Sequence, residues 1–266
     1  MSSHIKRLLA ALSFVATLAS ALAGCAVTPL EVLPPDALAA VPALPVSGRR
    51  GWLASRELRF GDYATRDLKT RGQTRTTSCP NGCSTVNLGL YKHRFDEAFS
   101  TSTQRLRFTL TGPSGAEVDV QLTDQLDQQK RDWMTRWFGV PTDFGTEYSR
   151  QVSFIGTVQP ADATQPGWRF ALRDDASNRQ LQGWVEDDNG RRLTLAPLQR
   201  LAGRAAGTAF HVPAALGYAF ELGGRVIGAV ATAGAGTVWL SPDLPPELRL
   251  SLAGLASALL LRPAPG

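Results

Sequence analysis

An uncharged apolar run near the carboxyl end constrains the fold of this chain more than any other feature. Residues 250–261, in LRLSLAGLASALLLRP, are twelve positions without a charge between Arg249 and Arg262. A helix needs about 20 apolar residues to cross a bilayer, so this run is too short to span one. Its leucines lie all around a helical wheel, and such a helix is covered on all sides. We therefore expect a buried C-terminal helix over residues 246–262, opened by a pair of prolines and stopped by another.

Short strand patterns fill the chain before this helix. Segments such as QRLRFTLTGPSGAEVDVQL and GWRFALRDD alternate apolar with polar residues and are rich in β-branched and aromatic side chains, which is typical of half-buried strands. Turn residues lie between the strands, and three groups predict hairpins: Pro113-Ser114-Gly115, Asn189-Gly190 and Gly223-Gly224.

One segment departs from the strand pattern. In TDQLDQQKRDWMTRWFG, Leu126, Trp133 and Trp137 recur at helical spacing and Gly139 follows them. This pattern predicts an amphipathic helix over residues 123–139.

The last strands and the C-terminal helix together resemble a known architecture. GGRVIGAVATAGAGTVWL followed by a Pro-Pro-initiated apolar helix, over roughly residues 218–262, looks like the end of tubby-like domains, a class that includes tubby and the phospholipid scramblases. The resemblance implies a mainly β fold, a closed or nearly closed antiparallel barrel of about twelve strands around the hydrophobic helix. It also implies lipid or headgroup binding. The alternatives are a β-sandwich and a two-layer α+β domain.

The amino terminus has the layout of an export signal. Lys6 and Arg7 precede an uncharged apolar run over residues 8–23, so residues 1–24 are expected to be removed. Leu22-Ala23-Gly24-Cys25 resembles the lipobox of bacterial lipoproteins. That resemblance implies a diacylglycerol on the thiol of Cys25, cleavage just before it and usually a further fatty acid, such as palmitate, on the freed amine.

The lipobox also implies a location. Ala26 stands where family members kept in the inner membrane often have Asp, so the resemblance favours the periplasmic face of the outer membrane. Residues 25–50 contain five prolines and are expected to form an extended, semi-stiff tether between the lipidated cysteine and a single β-rich domain over residues 51–266.

Charge and composition exclude a nucleic-acid partner from our expectations. Without residues 1–24 the chain keeps 26 basic and 23 acidic residues, a net charge of +3. Its arginines are spread along the chain with no polybasic run, and an exported protein does not meet nucleic acid.

Two cysteines remain for a disulfide. Cys79 and Cys83 flank Pro80-Asn81-Gly82, whose strong turn preference brings the two thiols close enough to bridge. Closing so short a loop would add on the order of 2 kcal/mol of stability. A redox pair is the alternative, but thioredoxin-like exchangers have two residues between their cysteines rather than three.

The sequence carries no familiar catalytic, metal or cofactor motif. Without residues 1–24, the histidines of the chain are His93 and His211, and neither belongs to a recognisable constellation. The acidic pairs Asp174-Asp175 and Asp187-Asp188 fit turns better than a calcium site. The six tryptophans are expected to fill the core or line the barrel: Trp52, Trp133, Trp137, Trp168, Trp184 and Trp239.

Three functions are therefore open. The first is a non-enzymatic outer-membrane lipoprotein, held to the membrane by its lipid anchor, whose β-rich domain binds lipid, another envelope protein or cell-wall polymer. The second is phospholipid or headgroup binding, which predicts that arginines from several strands converge on one barrel face. The third is a hydrolase with an unrecognised site, which needs a histidine beside a nucleophile and an acid.

Overall fold

Antiparallel strands dominate the computed structural model, which describes residues 31–50, 53–79, 84–88, 91–137, 140–174, 180–203 and 209–262. The described strands are β1 (Leu44–Pro45), β2 (Ser47–Arg50), β3 (Leu53–Phe60), β4 (Tyr63–Ser78), β5 (Ser84–Leu88), β6 (Tyr91–Thr111), β7 (Glu117–Trp137), β8 (Val140–Pro160), β9 (Trp168–Asp174), β10 (Leu181–Asp187), β11 (Arg192–Leu198), β12 (Arg200–Ala202), β13 (Ala209–His211), β14 (Gly217–Leu222), β15 (Arg225–Ala231) and β16 (Thr237–Leu240). Within these ranges they are followed by one α-helix, α1 (Pro246–Leu261).

The strands form a nearly closed antiparallel barrel. Hydrogen bonds link them in the order β1-β16-β15-β14-β11-β10-β9-β8-β7-β6-β4-β3-β2, with β5 added on β6. The first and last strands of this order, β1 and β2, are separated in the chain by Val46 alone, so the two ends of the sheet meet. This confirms the predicted barrel and rules out the sandwich and the two-layer α+β domain. Strands β12 and β13 form a separate two-stranded sheet.

The C-terminal helix fills the barrel as predicted. Every residue from Leu250 to Leu261 is buried, and α1 contacts β7 and β8 on one side and β15 and β16 on the other. Its two buried hydroxyls, on Ser251 and Ser257, donate to the helix carbonyls of Glu247 and Ala253, at 3.0 and 2.8 Å. These hydrogen bonds offset the free-energy cost of burying the two hydroxyl groups. Each fully buried leucine stabilises the fold by about 1.5–3 kcal/mol.

A glycine allows the helix to approach the barrel wall closely. A Cβ added to Gly254 would lie 2.9 Å from Cγ1 of Val158 and 3.2 Å from Cγ2 of Val118. Valine is stiff at χ1, so the wall has little room to give way at this point.

The helix start also agrees with the sequence, since Pro246 is its first residue and Pro245 precedes it.

Four strands are much longer than the barrel wall requires. β6, β7 and β8 have 21 residues each and β4 has 16, whereas β9 and β10 have seven. At about 3.3 Å per residue, 21 residues span about 70 Å and seven span about 23 Å. The surplus forms what we call the extension: residues 70–78, 91–104, 124–137 and 140–152 with β5, a sheet that projects beyond one end of the barrel.

The helix predicted over residues 123–139 is wrong, because residues 123–137, the described part of this segment, lie in β7. It pairs with β6 from Glu117 to Trp137 and with β8 over nearly the same range. The spacing of four between positions 133 and 137 fits a strand of period two as well as a helix, and pairing on both edges decides the outcome.

The folded body begins earlier than the sequence indicates. The compact unit starts at Val32, not at residue 51. Val32, Leu38 and Val46 are buried, and β1 and β2 belong to the barrel. The prolines between them interrupt helix but leave short apolar pieces that pack on the barrel.

The three predicted hairpin turns are confirmed, with positive φ at Gly190, Gly223 and Gly224.

Candidate anion-binding groove

Two rows of residues cross the outer wall of the barrel at the base of the extension. Strand pairing aligns neighbours from β4 through β6, β7, β8 and β9 to β10. The first row consists of Lys69, Arg107, Gln121, Thr157, Arg169 and Glu186. The second row consists of Arg71, Arg105, Thr123, Ile155, Ala171 and Trp184.

These rows face outward because the residues between them face the core. Leu106, Leu122 and Phe170 are 2%, 4% and 2% exposed and pack inside the barrel. Successive residues of a strand lie on opposite faces, so their neighbours lie outside. Apart from Glu186, the residues of the two rows line an open groove with a cavity volume of about 740 Å³.

One end of the groove is strongly cationic. Lys69 and Arg71 on β4 lie beside Arg107 and Arg105 on β6, and all four are exposed. Neighbouring strands are about 4.8 Å apart, so like charges directly opposite each other destabilise the sheet. Among the described residues none of the four has an ion pair or a hydrogen bond to an acidic partner.

The acids near the groove do not neutralise it. Glu186 ends the first row but lies 2.6 Å from Arg192, on the far side. Arg169 is 3.9 Å from Asp188, and both side chains are more than half exposed, so this contact is long and solvent-screened. The cations on β4 and β6 therefore present an uncompensated positive field.

The other end of the groove is apolar along the second row and has Arg169 beside it in the first row. Ile155 is 46% exposed and Trp184 is 47% exposed, and they lie in the same row with Ala171 between them. From β6 to β10 the groove crosses four strand spacings, about 19 Å. It can therefore hold a molecule with an anionic end and an apolar end.

The sequence did not single out the groove arginines. They appear evenly spread along the chain, and only pairing between β4 and β6 brings them together. The local signal was the alternation of cations in KTR at 69–71 and RLR at 105–107, since residues two apart share a strand face.

The candidate cysteines are only partly within the described residues. Cys79 is disulfide-bonded, and its pairing with Cys83 stays a prediction. Cys83, its predicted partner, and Cys25, the predicted lipidation site, lie outside the described residues.

The histidines and acids take different positions. His211 is exposed at the end of β13 and lines a separate groove with Glu221, in which no lining residue carries a hydroxyl or thiol. His93 lies in β6, with its side chain outside the described part.

Asp187 accepts hydrogen bonds from the backbone of Asn189 and Arg191, at 3.0 and 2.7 Å, which confirms its predicted turn role. Asp188 does the same for Gly167.

The tryptophans divide between core and surface. Trp168 and Trp239 are each 4% exposed and fill the core, as predicted. Trp184 is not a core residue, since it lines the groove. The side chains of the other three, at 52, 133 and 137, lie outside the described part of the structure.

A second polar cluster lies where α1 ends. Nε of Arg262 is 3.5 Å from Oδ1 of Asp124, and its guanidinium stacks over the ring of Phe154. Burial raises the pKa of Asp124, while the nearby Arg262 opposes that rise. Burial likewise raises the pKa of Tyr218, whose hydroxyl accepts from the backbone N–H of Leu181 at 2.9 Å. This cluster fixes the end of the helix to the barrel wall.

Comparisons with known proteins provide no relative for this chain. No protein-family model, curated protein or solved structure matches it.

In the part of the chain that the structure describes, we find no helix long and apolar enough to cross a membrane. Within the same ranges, no group of three or more His, Cys, Asp or Glu side chains is arranged to hold a metal ion.

Proposed function

We propose that this protein is a non-enzymatic lipoprotein of the outer membrane that binds phosphate-bearing lipids in the groove. The observation that supports this most directly is the set of four exposed cations on β4 and β6, which have no acidic partner among the described residues. Arginines from three strands converge on one barrel face, as the tubby-like resemblance requires of a headgroup site.

The guanidinium groups of the groove are well suited to bind phosphate. Arginine presents a planar fork of donors that forms paired hydrogen bonds with phosphate oxygens. Arg71, Arg105 and Arg107 offer such forks side by side, and Lys69 adds a point charge. The energetic cost of placing like charges together is recovered when an anion occupies the groove.

The apolar end of the groove favours a lipid over a free anion. Acyl carbons next to the headgroup would cover Ile155 and Trp184, whose exposed surface gains about 25 cal/mol per Å² on leaving water. A water-soluble phosphate ester makes the polar contacts alone. We therefore expect a phosphatidyl ligand to bind more tightly than its headgroup.

The membrane anchor is part of the same proposal. The lipobox-like Leu22-Ala23-Gly24-Cys25 supports lipidation of Cys25, and Ala26 supports the periplasmic face of the outer membrane. A lipid-anchored protein meets membrane lipids at high local concentration, which matches a groove of modest depth and wide opening.

Calorimetry with a short-chain lipid tests the groove. The protein in neutral detergent is titrated with dihexanoyl phosphatidylglycerol, dihexanoyl phosphatidylcholine and glycerol phosphate. We expect the phosphatidylglycerol to bind most tightly, and Arg105→Glu to weaken it at least about tenfold, which is 1.4 kcal/mol.

Arg225→Glu is the matched control, because Arg225 is also exposed but lies on β15, away from the groove. It makes the same change in net charge and should leave the affinity unchanged. Equal losses in both variants, or no binding by the unaltered protein, would contradict the proposed site.

A further inference from the structure

The four cations at one end of the groove form a compact rectangle. Lys69 lies directly opposite Arg107, and Arg71 lies directly opposite Arg105. Opposite residues of antiparallel strands have Cβ atoms about 4.5–5.5 Å apart, and residues two apart along a strand are separated by about 6.6 Å. All four long side chains can therefore reach a single anion above the centre of the rectangle.

The charge of this rectangle exceeds that of a phosphodiester. A phosphodiester carries a single negative charge, so it would leave most of the positive charge of the four cations uncompensated. A phosphomonoester carries about −1.5 to −2 at pH 7 and offers three acceptor oxygens. It can therefore compensate about half of the positive charge and present an oxygen to each of Arg71, Arg105 and Arg107.

The place of the rectangle in the sheet favours a phosphate at the end of its molecule. Beyond Ala64, β4 pairs only with β6 in the part of the chain that the structure describes. Lys69 and Arg71 therefore lie on a free edge, where no described strand continues the sheet. A terminal phosphate fits this edge, whereas the headgroup alcohol of a phosphodiester would project past it.

The rest of the groove matches the order of groups in a phospholipid. Next to the cations lie Gln121 and Thr123 on β7, whose side chains can hydrogen-bond with ester and hydroxyl groups. The exposed side chains of Ile155 and Trp184 follow on β8 and β10. Across the strands the groove thus offers sites for a phosphate, for a glycerol backbone and for acyl carbons.

We infer that the groove selects lipids whose headgroup ends in a phosphomonoester, such as phosphatidate, over phosphodiester lipids. This inference rests on the proposed function, since it names the headgroup of the lipid that the groove binds. The preferred ligand is the dianion, with its phosphate oxygens on the guanidinium groups of β4 and β6.

The second ionisation of a phosphomonoester gives this selection a pH signature. The second pKa of such a phosphate is about 6, so the dianion is about a tenth of the ligand at pH 5 and nearly all of it at pH 8. A phosphodiester keeps its single charge over this range.

The groups of the protein itself require a reference ligand. The described ionisable side chains in and beside the groove are Lys69, Arg71, Arg105, Arg107, Arg169, Glu186 and Asp188. Any titration of these groups would affect both kinds of lipid. The difference between the two lipids therefore reports the ionisation of the phosphate.

Calorimetry at two pH values tests the selection. The protein in neutral detergent is titrated with dihexanoyl phosphatidate, dihexanoyl phosphatidylglycerol and glycerol phosphate, at pH 5 and at pH 8. We expect phosphatidate to bind about tenfold more tightly at pH 8 than at pH 5, in proportion to its dianion. Phosphatidylglycerol should bind more weakly than phosphatidate at pH 8, with nearly the same affinity at both pH values. Glycerol phosphate should follow the pH dependence of phosphatidate with a lower affinity, because it lacks acyl carbons.

Lys69 offers a matched pair of variants. Lys69→Gln removes one positive charge and should reduce the preference for phosphatidate at pH 8, whereas Lys69→Arg keeps the charge and should keep the preference. Arg225→Gln makes the same change in charge on β15, away from the groove, and should leave the preference unaltered. Circular dichroism verifies that each variant is folded.

The outcomes separate the selection from the groove itself. Phosphatidylglycerol that binds as tightly as phosphatidate at pH 8 would overturn the selection and leave the groove a lipid site. Equal losses in Lys69→Gln and Arg225→Gln would also overturn it. Glycerol phosphate that binds as tightly as phosphatidate would show a site for soluble phosphate esters and overturn the choice of a lipid. No binding of any of the three ligands would overturn the proposed groove, and the selection with it.

Discussion

Asp124 is the residue whose ionisation is most closely tied to the fold. Its side chain is 11% exposed and ion-pairs with Arg262 at the end of α1. Burial raises the pKa of Asp124 and outweighs the opposing effect of Arg262, while Asp174 adds a like charge. The folded protein therefore holds a proton on Asp124 more tightly than the unfolded chain does.

The replacement Asp124→Asn tests this coupling. A raised folded pKa gives a stabilising contribution that is complete below the ordinary carboxyl pKa and is lost as pH rises through the folded value. From about pH 4 upward, the free energy of unfolding of the unaltered protein should therefore fall relative to that of the variant. Urea unfolding at pH 4 and at pH 8 measures the difference. A difference that is constant, or of opposite slope, would refute the raised pKa.

At the scale of elements, α1 supplies the core that the barrel needs to close. Leu252 is 1% exposed and lies opposite Trp168, Phe170 and Val185 around a common space. Because the helix is covered on all sides, a truncated side chain leaves a cavity that no neighbouring element can fill.

Leu252→Ala should lower the free energy of unfolding by about 2–5 kcal/mol, the usual cost of such a cavity. Ile155→Ala removes a similar number of carbons from a side chain that is 46% exposed, so its cost should be within about 0.5 kcal/mol, as for other surface positions. Thermal or denaturant unfolding compares the two. Similar costs for both would mean that α1 is not packed as a core element.

The structure of some elements can be predicted from their own residues, and that of others cannot. Residues 250–261 predict their own burial, because an uncharged helix without a polar face has one stable place in water. The β7 segment does not, since it pairs with residues of β6 that are as far as 46 positions away, as Trp137 does with Tyr91. The groove depends on the same pairing, so Arg71 and Arg105 carry no local sign that they are neighbours.

The turns, by contrast, were predictable, because Asn189-Gly190 and Gly223-Gly224 determine backbone conformation by their own chemistry. The start of the folded body at Val32 was not. Prolines indicate an extended chain, but they do not say whether that chain packs on a neighbouring wall, and Leu38 does so with 1% exposure.

For the whole molecule, attachment to the membrane is the property on which the proposals converge. Two or three acyl chains on Cys25 hold a protein stably, at about 0.8 kcal/mol per buried methylene, whereas an amphipathic surface alone binds reversibly. A protein held by acyl chains on Cys25, as we propose, should therefore need detergent for release. One held only by reversible surface contacts should be released by dilution or by washing at high pH.

Cys25→Ser tests the proposed anchor in the cell. The variant should incorporate no labelled palmitate and should move from the detergent-requiring fraction to one released by washing, because the acyl chains are absent. Mass spectrometry of the amino-terminal peptide of the unaltered protein should show the acyl chains on Cys25. Palmitate labelling that persists in Cys25→Ser would refute lipidation at this residue. A labelled protein that washes off membranes without detergent would instead show that the acyl chains do not anchor it.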